Sequence, residues 1–402
     1  MPTVKLKSCF QIKEYCSIGN EIRELLIGIK LKILYIVNEP WFFLSHRLPI
    51  ALAAQEQGYT VHVATRDGAA VQEIINNGFV HHEIPLTRNG SSVPSELNSL
   101  LAIRKLINNV KPDVLHLVTI KPVLYGGIAS RFTSVKKVVA AVSGLGTLFL
   151  ATGTKADLKR KVGIGLYRLA LRSNKTTVIL QNPDDKQLLI DLKAVKAEQT
   201  TLIRGSGIDL STFQAFPEKL NDTPIVTFAA RLLFDKGLAE YVDAIKLLNK
   251  KGIVANYQIV GDLDLGNNTS ATEQNIEEWK AIPNLVVLGY QKDMSTVFRD
   301  SNVVVLPSYR EGLPKVLIEA AACGRAVITT DVPGCRDAIE ANETGLLVPV
   351  KNSHELANAI EKLVTDTELR VGMGIAGRQL AEREFAIEKV IEQHLSIYQQ
   401  TN

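Results

Sequence analysis

The chain has 402 residues, of which 46% are hydrophobic and 22% are charged. These fractions exclude a disordered, collagen-like or disulfide-scaffold chain, and the length predicts two or three domains. The net charge of +4 is divided unevenly: residues 1–204 hold 27 basic and 15 acidic side chains (27 − 15 = +12), whereas residues 205–402 hold 19 and 27 (19 − 27 = −8). We therefore expect two unlike halves, with the basic one facing an anionic partner.

Residues 1–30 form an N-terminal extension before the first predicted strand. Lys and Glu occur throughout it, which argues against a signal peptide. One short amphipathic helix is predicted at 21–29, and two interpretations stay open: a membrane-touching or oligomer-forming arm, and a disordered extension. The longest uncharged stretch, 138–154, is too short and too rich in Gly to span a bilayer. A reduced, cytosolic setting is expected because no metal-ligand spacing links the four cysteines, Cys9, Cys16, Cys323 and Cys335.

From residue 31 onward, short apolar strands alternate with helical patterns. The predicted strands of the first half are 31–37, 60–65, 113–118, 137–142, 176–181 and 199–203, and the helices are 46–57, 94–109, 122–132 and 157–172. In the second half the strands are 224–229, 256–260, 284–288, 302–306 and 326–330, with helices at 237–250, 293–300 and 314–323 and a helical pattern over 352–402. Continuous apolar strands separated by helices are typical of parallel sheets covered on both faces.

We therefore predict an α/β protein with two doubly wound, Rossmann-like domains that face each other across a cleft. The N-terminal domain is expected at 31–205 and the C-terminal domain at 206–385. The last segment, 386–402, is expected to be a helix that packs back on the N-terminal domain. Doubly wound sheets bind ligands at the carboxyl ends of their strands, so the cleft is the expected active site.

The loop after the first strand argues against a dinucleotide-binding domain. Such a domain needs G-x-G-x-x-G directly after this strand. Here the strand is followed by NEPWFFLSHRLPIALAA, and no glycine comes before Gly58. A G-x-x-x-x-G-K-[ST] phosphate loop is also missing from the sequence. The sequence therefore predicts neither a nicotinamide-dependent dehydrogenase nor a P-loop enzyme.

The segment SYREGLPKVLIE, residues 308–319, places two carboxylates around the start of a predicted helix. Glu311 lies in the loop before the helix and Glu319 in its second turn. A helix N-terminus exposes free N–H groups and a partial positive charge, which suit a phosphate group. The carboxylate of Glu319 is suited to accept hydrogen bonds from the vicinal hydroxyls of a ribose. A solvent-facing position for Glu319 is the alternative that spacing alone leaves open.

A second constellation, AARLLFDKG at 229–237, follows the first strand of the second domain. Arg231 and Lys236 are cations at the carboxyl end of a strand in an otherwise acidic half, and this favours an anionic ligand. The alternative is surface charge paired with neighbouring acids such as Asp235.

Taken together, these segments closely resemble the retaining glycosyltransferases of family 4, which have the GT-B fold. The resemblance rests on RLLFDKG, YREGLPKVLIEAAACGRAVITTDVPGCRDAI and NETGLLVP, and extends to FFLSHRLPIALAA, TIKPVLYGGIASR, SGLGTLF, QNPDD and RGSGIDLSTF. It covers residue 31 to the end, and the branch it resembles extends bacterial capsule, O-antigen and lipid-linked oligosaccharides. The spacing of Glu311 and Glu319 matches the family's Glu-x7-Glu pattern.

The resemblance implies a nucleotide-sugar donor, with UDP the usual nucleotide, and catalysis with neither a metal nor another cofactor. The implied catalytic residues are Arg231, Lys236 and Glu311, and the donor-binding residues are Gly261, Tyr290, Gly312, Leu313, Pro314 and Glu319. Glu311 is expected against the transferred sugar, Glu319 on the ribose and Tyr290 beside the base, although a Tyr packed at a domain edge is an open alternative. Asp262 and Asp264 superficially match the metal motif of the other major glycosyltransferase fold, and we favour the metal-free interpretation.

The basic half is expected to bind the acceptor, a polyprenyl-diphosphate-linked saccharide, at the anionic inner face of the cytoplasmic membrane. The expected acceptor-binding residues are His46, Arg47, Lys121 and Tyr125. His116 lies near the place of a family histidine, but the commonest pattern puts that residue at Val118, so we predict a core role for His116. Trp41, Phe42 and Phe43 fit either a membrane contact or the core.

Two other functions remain open at this point: a nucleotide-sugar epimerase and a non-catalytic sugar-nucleotide-binding protein of the same fold. Nucleic-acid binding is not expected because no basic motif interleaved with aromatic residues occurs and half of the chain is acidic.

Overall fold

The computed structural model describes residues 31–86, 92–145, 153–218 and 223–400. The helix predicted at 21–29 and the cysteines at positions 9 and 16 lie outside these ranges. The described chain forms two α/β units, each built on a parallel sheet. Within the described ranges, no helix is both long and apolar enough to cross a bilayer.

The N-terminal domain contains a seven-stranded parallel sheet with the order β3-β2-β1-β4-β5-β6-β7. Its strands are β1 (Lys32–Ile36), β2 (Thr60–Thr65), β3 (Val80–Glu83), β4 (Val114–Val118), β5 (Lys137–Val142), β6 (Thr176–Leu180) and β7 (Thr200–Leu202). Its helices are α1 (Pro40–His46), α2 (Leu48–Glu56), α3 (Val71–Asn76), α4 (Val93–Val110), α5 (Ile120–Ser130), α6 (Thr154–Leu171) and α7 (Pro183–Asp191).

The C-terminal domain contains a six-stranded parallel sheet with the order β10-β9-β8-β11-β12-β13. Its strands are β8 (Ile225–Ala229), β9 (Asn256–Val260), β10 (Leu285–Gly289), β11 (Val303–Leu306), β12 (Ala326–Thr330) and β13 (Gly345–Val348). The helices of this domain are α8 (Leu238–Lys251), α9 (Glu273–Lys280), α10 (Met294–Asp300), α11 (Lys315–Ala322), α12 (Ser353–Thr365) and α13 (Thr367–Leu380), and a last helix, α14 (Ile387–Gln399), follows them. This is the doubly wound order of a Rossmann-like domain, so the predicted fold class is confirmed.

Two strands were missed by the sequence prediction, and both lie at the edge of a sheet. β3 reads Val-His-His-Glu, so three of its four residues are polar. β13 has only four residues and begins with Gly345. β3 is exposed or half-buried along its length and therefore lacks the apolar run by which other strands were recognised. β13 is mostly buried, and its shortness explains why it was missed.

The helix predicted at 46–57 corresponds to α2, which begins two residues later than predicted, at Leu48. A separate helix that was not predicted, α1, precedes it, and Pro40 occupies the first turn of α1, where its missing N–H costs nothing. The break between the two helices falls at Arg47, whose backbone has φ −130° and ψ −13°. His46 therefore ends α1, and Arg47 lies between the two helices as the N-cap of α2.

The chain passes between the two domains twice. The first passage follows β7, and the second leads from the π-helical turn Ala381–Phe385 into α14. The two passages are joined where the Ile208 N–H donates to the Phe385 carbonyl at 2.8 Å and the Ile387 N–H donates to the Ile208 carbonyl at 3.0 Å. α14 then packs against α2 of the N-terminal domain.

Under α14 lies a buried polar cluster that contains His116. Its Nδ1 is 2.6 Å from the hydroxyl of Tyr398, which is also 3.1 Å from the hydroxyl of Tyr35. The His116 ring stacks on Tyr35 and on His394. Burial keeps the pKa of His116 well below its usual value, and the charge of Arg47 lowers it further. His116 is therefore a neutral core residue in this structure.

Candidate active site

A cleft of about 630 Å³ separates the carboxyl edges of the two sheets. The N-terminal domain contributes the residues that follow β1, β4 and β5, including Asn38, Thr119 and Ser143. The C-terminal domain contributes the loops after β8 and β11. Parallel strands of both domains thus end at one concave surface, as the doubly wound fold requires of a ligand site.

Lys236 and Glu311 form an ion pair in the wall of this cleft. Lys236 ends the short turn Phe234–Lys236 after β8, and Glu311 lies in the loop between β11 and α11. Gly237 brings the two loops together: it has φ +76°, and a Cβ there would lie 2.1 Å from the Pro307 carbonyl oxygen. Because the side chains of Lys236 and Glu311 are only 19% and 14% exposed, their charges are weakly screened by water.

Arg231 is the second cation of this wall, and it contacts the carboxylate of Asp264. The other carboxylate of this segment, Asp262, accepts a hydrogen bond from the Tyr290 backbone N–H at 3.1 Å. In the described part of the chain, no three His, Cys, Asp or Glu side chains are grouped so that they could hold a metal ion. Asp262 and Asp264 are therefore engaged with protein groups in this structure, whereas metal independence itself remains a prediction.

Helix α11 begins shortly after the loop that carries Glu311 and Gly312 into the lining of the cleft. Pro314 precedes its first residue, Lys315, so the proline is the N-cap rather than part of the first turn as expected. Glu319 is buried, and the solvent-facing interpretation does not hold. Burial raises its pKa, an effect that Lys315 opposes from 3.3 Å. A buried carboxylate of this kind gains most from a ligand that donates hydrogen bonds to it.

Comparisons with known proteins match both domains. Residues 32–182 match the family model "Glycosyl transferase 4-like" and residues 211–380 match "Glycosyl transferases group 1". The Staphylococcus aureus capsular polysaccharide biosynthesis glycosyltransferase CapM is 28% identical over 86% of this chain and 90% of its own length. The protein is a GT-B glycosyltransferase of family 4.

Two further comparisons agree with this assignment over nearly the whole chain. The N,N'-diacetylbacillosaminyl-diphospho-undecaprenol alpha-1,3-N-acetylgalactosaminyltransferase of Campylobacter jejuni is 27% identical over 89% of this chain and 97% of its own length. The crystal structure of Anabaena HepE in complex with UDP has a TM-score of 0.72 and 19% identity, and covers 92% of this chain and 99% of HepE.

The glycosyltransferase brings only part of the predicted acceptor set to the cleft. Lys121 lines it and pairs with Glu96 at 2.8 Å. Tyr125 bonds to the same carboxylate but does not line the cleft. The three aromatic residues of α1 separate: Trp41 is exposed, Phe42 lines the cleft and Phe43 is buried in the core.

His46 and Arg47 are both engaged with protein groups in this structure, and their acceptor role stays a prediction. The His46 ring stacks on Phe42 with 3.9 Å between centroids, and its pKa falls to about 3 because of burial and the charges of Arg47 and Lys315. Arg47 is buried at the junction of the domains, where it donates to the His46 carbonyl at 2.8 Å and to the Ser206 hydroxyl at 3.2 Å. Neither side chain lines the cleft.

Only some of the predicted donor-binding residues line the cleft. Gly312 lines the cleft, and Leu313 is buried in the core of the C-terminal domain. Gly261 follows β9 and donates its N–H to the Gly289 carbonyl at 2.9 Å. Tyr290 lies beside it with 68% of its surface exposed, outside the lining of the cleft. A role for Tyr290 beside the base stays a prediction.

Several residues that line the cleft were not found from the sequence. Thr119 follows β4 directly and has φ +73°, an uncommon conformation for a residue other than glycine. Asn38 and Ser143 occupy similar places after β1 and β5, the neighbours of β4 in the sheet. The signal that would have found all three is their position at the carboxyl ends of adjacent parallel strands. Tyr309 and Arg310, before Glu311, were missed as well.

Proposed function

We propose that this glycosyltransferase moves a hexose or N-acetylhexosamine, with retention of configuration, from a UDP-sugar to a polyprenyl-diphosphate-linked saccharide. The observation that carries the proposal is the convergence of Arg231, Lys236 and Glu311 in one interdomain cleft, with α11 beginning at Lys315, shortly after the Glu311 loop. The names of the two relatives support the polysaccharide and lipid-linked context, and the UDP bound to HepE supports the nucleotide.

The chemistry follows from where charge develops. Breaking the bond between the sugar and the diphosphate leaves negative charge on the diphosphate and positive charge on the sugar ring. Arg231, Lys236 and the free N–H groups at the start of α11 are fixed donors for the diphosphate. Each such donor contributes about 3 kcal/mol of transition-state stabilisation.

The two glutamates of the Glu-x7-Glu pattern take different roles in this proposal. Glu311 faces the transferred sugar, where its carboxylate stabilises positive charge on the ring. Glu319, buried one helical turn from Lys315, accepts hydrogen bonds from the ribose hydroxyls. Those donors favour the ionised carboxylate and so oppose the effect of burial on its pKa.

The acceptor is proposed to approach from a membrane surface. Helices α4, α5 and α6 pack side by side, and the N-terminal ends of α4 and α5 lie near the cleft, because Lys121 lines it and pairs with Glu96. Exposed apolar side chains at the N-terminal ends of the three helices are Val93, Leu97, Ile120, Leu158 and Val162. The exposed Lys159 and Lys161 flank the apolar side chains of α6. This combination suits an anionic bilayer, where each basic residue contributes about 1 kcal/mol.

The test of the proposed function is acceptor-dependent nucleotide release. The purified chain is incubated with UDP-glucose, UDP-galactose and their N-acetyl counterparts, with and without a polyprenyl-diphosphate-linked saccharide in detergent. We expect UDP release and a lengthened acceptor from at least one donor, with the anomeric configuration retained in the product. Conversion of a donor into its epimer without acceptor would identify an epimerase instead. UDP binding without turnover of any donor would identify a binding protein.

Metal chelation is expected to have little effect. Because side-chain cations and helix amides neutralise the diphosphate in this proposal, the turnover rate in EDTA should stay within about twofold of the untreated enzyme, that is, within about 0.4 kcal/mol in barrier height. The rate is measured after dialysis against EDTA and again after addition of Mn²⁺ or Mg²⁺. Strong inhibition that either ion reverses would contradict the metal-free mechanism.

Membrane binding is expected to depend on the exposed apolar ends of α4 and α6. Flotation with vesicles that contain phosphatidylglycerol should recover the protein, and phosphatidylcholine vesicles should recover much less because the basic residues lose their anionic partners. Replacing Leu97 and Leu158 by Glu should abolish flotation. The matched control is Ile375→Glu, since Ile375 is an exposed apolar helix residue of the C-terminal domain. Equal recovery of both variants would contradict this surface.

A further inference from the structure

The loop that carries Glu311 is bonded to the N-terminal domain through the residues on both sides of Glu311. Arg310, just before it, extends its guanidinium group to the carboxylate of Asp185. Gly312, just after it, accepts a hydrogen bond at its carbonyl oxygen from the Asn182 side-chain amide at 2.8 Å. Both partners belong to the 181–185 segment, which begins α7 of the N-terminal domain. No role in the proposed reaction has so far been given to this segment.

The two residues of the 181–185 segment that hold the Glu311 loop are buried, whereas Pro183 and Asp184 between them are exposed. Asn182 and Asp185 are 0% and 1% exposed. The Asn182 Oδ1 atom caps α7 by accepting from the Asp185 N–H at 2.8 Å, and the Asn182 amide also donates to Asp185 Oδ2 at 3.1 Å. Asp185 therefore offers one oxygen to Asn182 and the other to Arg310. A buried network whose members are bonded to one another holds its geometry firmly.

The backbone at Gly312 fits closely against the N-terminal domain. A Cβ at this position would lie 2.1 Å from the Ser143 carbonyl oxygen and 2.6 Å from the Gln181 side-chain oxygen. On the other side, a Cβ at Gly334 would lie 2.4 Å from the Glu311 carbonyl oxygen. The loop is thus enclosed between the two domains, and only glycine permits this approach. A small displacement of either domain would move Glu311 relative to the cleft.

We propose that Asn182 and Asp185 are positioning residues. They hold the Glu311 carboxylate beside the transferred sugar only while the two domains are in contact at this loop. The inference rests on the proposed function, from which it takes the role of Glu311. Its consequence is that the transfer step depends on this interdomain contact more strongly than nucleotide binding does. Arg231, Lys236 and Glu319, which are proposed to bind the nucleotide, all lie in the C-terminal domain, and their ion pairs are made with residues of that domain.

The chain supplies a matched control in the neighbouring residue. Asp184, like Asp185, pairs with an arginine of the opposite domain: its carboxylate lies 2.9 Å from Arg336. The Asp184 and Arg336 side chains are 47% and 38% exposed, whereas those of Asp185 and Arg310 are 2% and 13% exposed. An exposed pair contributes little, but removal of one partner of a buried pair leaves an uncompensated charge. The same substitution at both positions therefore separates positioning from general surface charge.

The experiment compares Asp184→Asn, Asp185→Asn and Asn182→Ser in the full chain. A UDP-sugar that the wild-type enzyme turns over is used for kcat and KM, and UDP alone is used for calorimetric binding. We expect Asp185→Asn to lower kcat at least about tenfold, because small misplacements of reacting groups are costly, with the donor KM and the UDP Kd within about twofold of wild type. Asp184→Asn should stay within about twofold of wild type in all three quantities.

Asn182→Ser tests the second contact, the hydrogen bond from the Asn182 amide to the Gly312 carbonyl, without leaving a buried charge unpaired. Serine caps a helix as well as asparagine does, but it is too short to reach the Gly312 carbonyl. We expect kcat to fall about fivefold, as for the loss of one hydrogen bond, with UDP affinity unchanged. This variant decides the question if Asp185→Asn is unfolded at the assay temperature by circular dichroism.

Two results would overturn the inference: a kcat within twofold of wild type for every folded variant of the 181–185 segment, or a loss of UDP affinity in parallel with kcat. The second result would mean that the segment acts on the nucleotide site. Failure of the proposed function would look different, because the wild-type chain itself would then release no nucleotide from any of the four donors when acceptor is added. That outcome would overturn both proposals.

Discussion

Lys236→Ala is expected to lower kcat about a hundredfold, which corresponds to the loss of about 3 kcal/mol of transition-state stabilisation. Lys236 lines the cleft and is less exposed than Arg231, and Glu311 is its partner in this structure. Its removal takes a positive charge from the departing diphosphate and leaves a carboxylate without its counter-ion close to the same anion. Both effects weaken the binding of the diphosphate, so the affinity for UDP should fall together with kcat.

Steady-state kinetics and UDP calorimetry measure the two effects of this substitution. Lys236→Arg keeps the positive charge and should recover part of the rate. Lys246→Ala serves as the matched control, since it removes a lysine from α8 whose ion pair with Asp243 is well exposed. Arg231→Ala should cost at least about tenfold in kcat, because an exposed donor is more screened. Wild-type turnover in Lys236→Ala would show that the diphosphate is stabilised elsewhere.

Glu311→Gln is expected to lower kcat about a hundredfold as well, because it removes the negative charge proposed to stabilise the sugar ring in the transition state. Its effect on nucleotide binding should have the opposite sign to that of Lys236→Ala. The neutral amide no longer repels the diphosphate and no longer neutralises Lys236. The UDP Kd should therefore be unchanged or lower.

This difference in sign makes the pair of substitutions informative. Glutamine has nearly the size of glutamate, so the comparison isolates charge from packing. The matched control is Glu361→Gln, which removes the charge of a carboxylate paired with Lys251 on the protein surface. A Glu311→Gln enzyme with normal kcat, or one that binds UDP much more weakly than wild type, would exclude the proposed role of Glu311.

Much of the fold was predictable from the sequence, because the signals for it are local. The inner strands are continuous apolar runs, and four of them, 60–65, 137–142, 256–260 and 326–330, have the predicted bounds. The position of Lys236 and Glu311 in the wall of the cleft was predictable for the same reason. Lys236 and Glu311 each lie in a short loop after an apolar strand, and parallel strands place such loops at one edge of a sheet.

The residues that the N-terminal domain contributes to the cleft were predicted less well. Which of its side chains are exposed there depends on where the helices begin and on how the two domains pack together. His46 and Arg47 looked like the start of the first helix after β1. A separate helix that Pro40 begins comes first and ends at His46, and Arg47 caps the next one. As a result His46 stacks on Phe42, and the Arg47 side chain enters the domain junction. Charge and position along the chain did not distinguish these residues from Lys121, which does line the cleft.

The sequence by itself determined the two doubly wound domains and the loops that carry Lys236 and Glu311. Periodicity and loop position are properties of neighbouring residues, so they can be recognised without the tertiary structure. Only the tertiary structure decided which strand-end residues face the cleft and how the Glu311 loop is held. The Asn182 amide meets the Gly312 carbonyl across 130 positions of the sequence, and Asp185 meets Arg310 across 125. Such contacts depend on the packing of one domain against the other, which no local pattern of residues records.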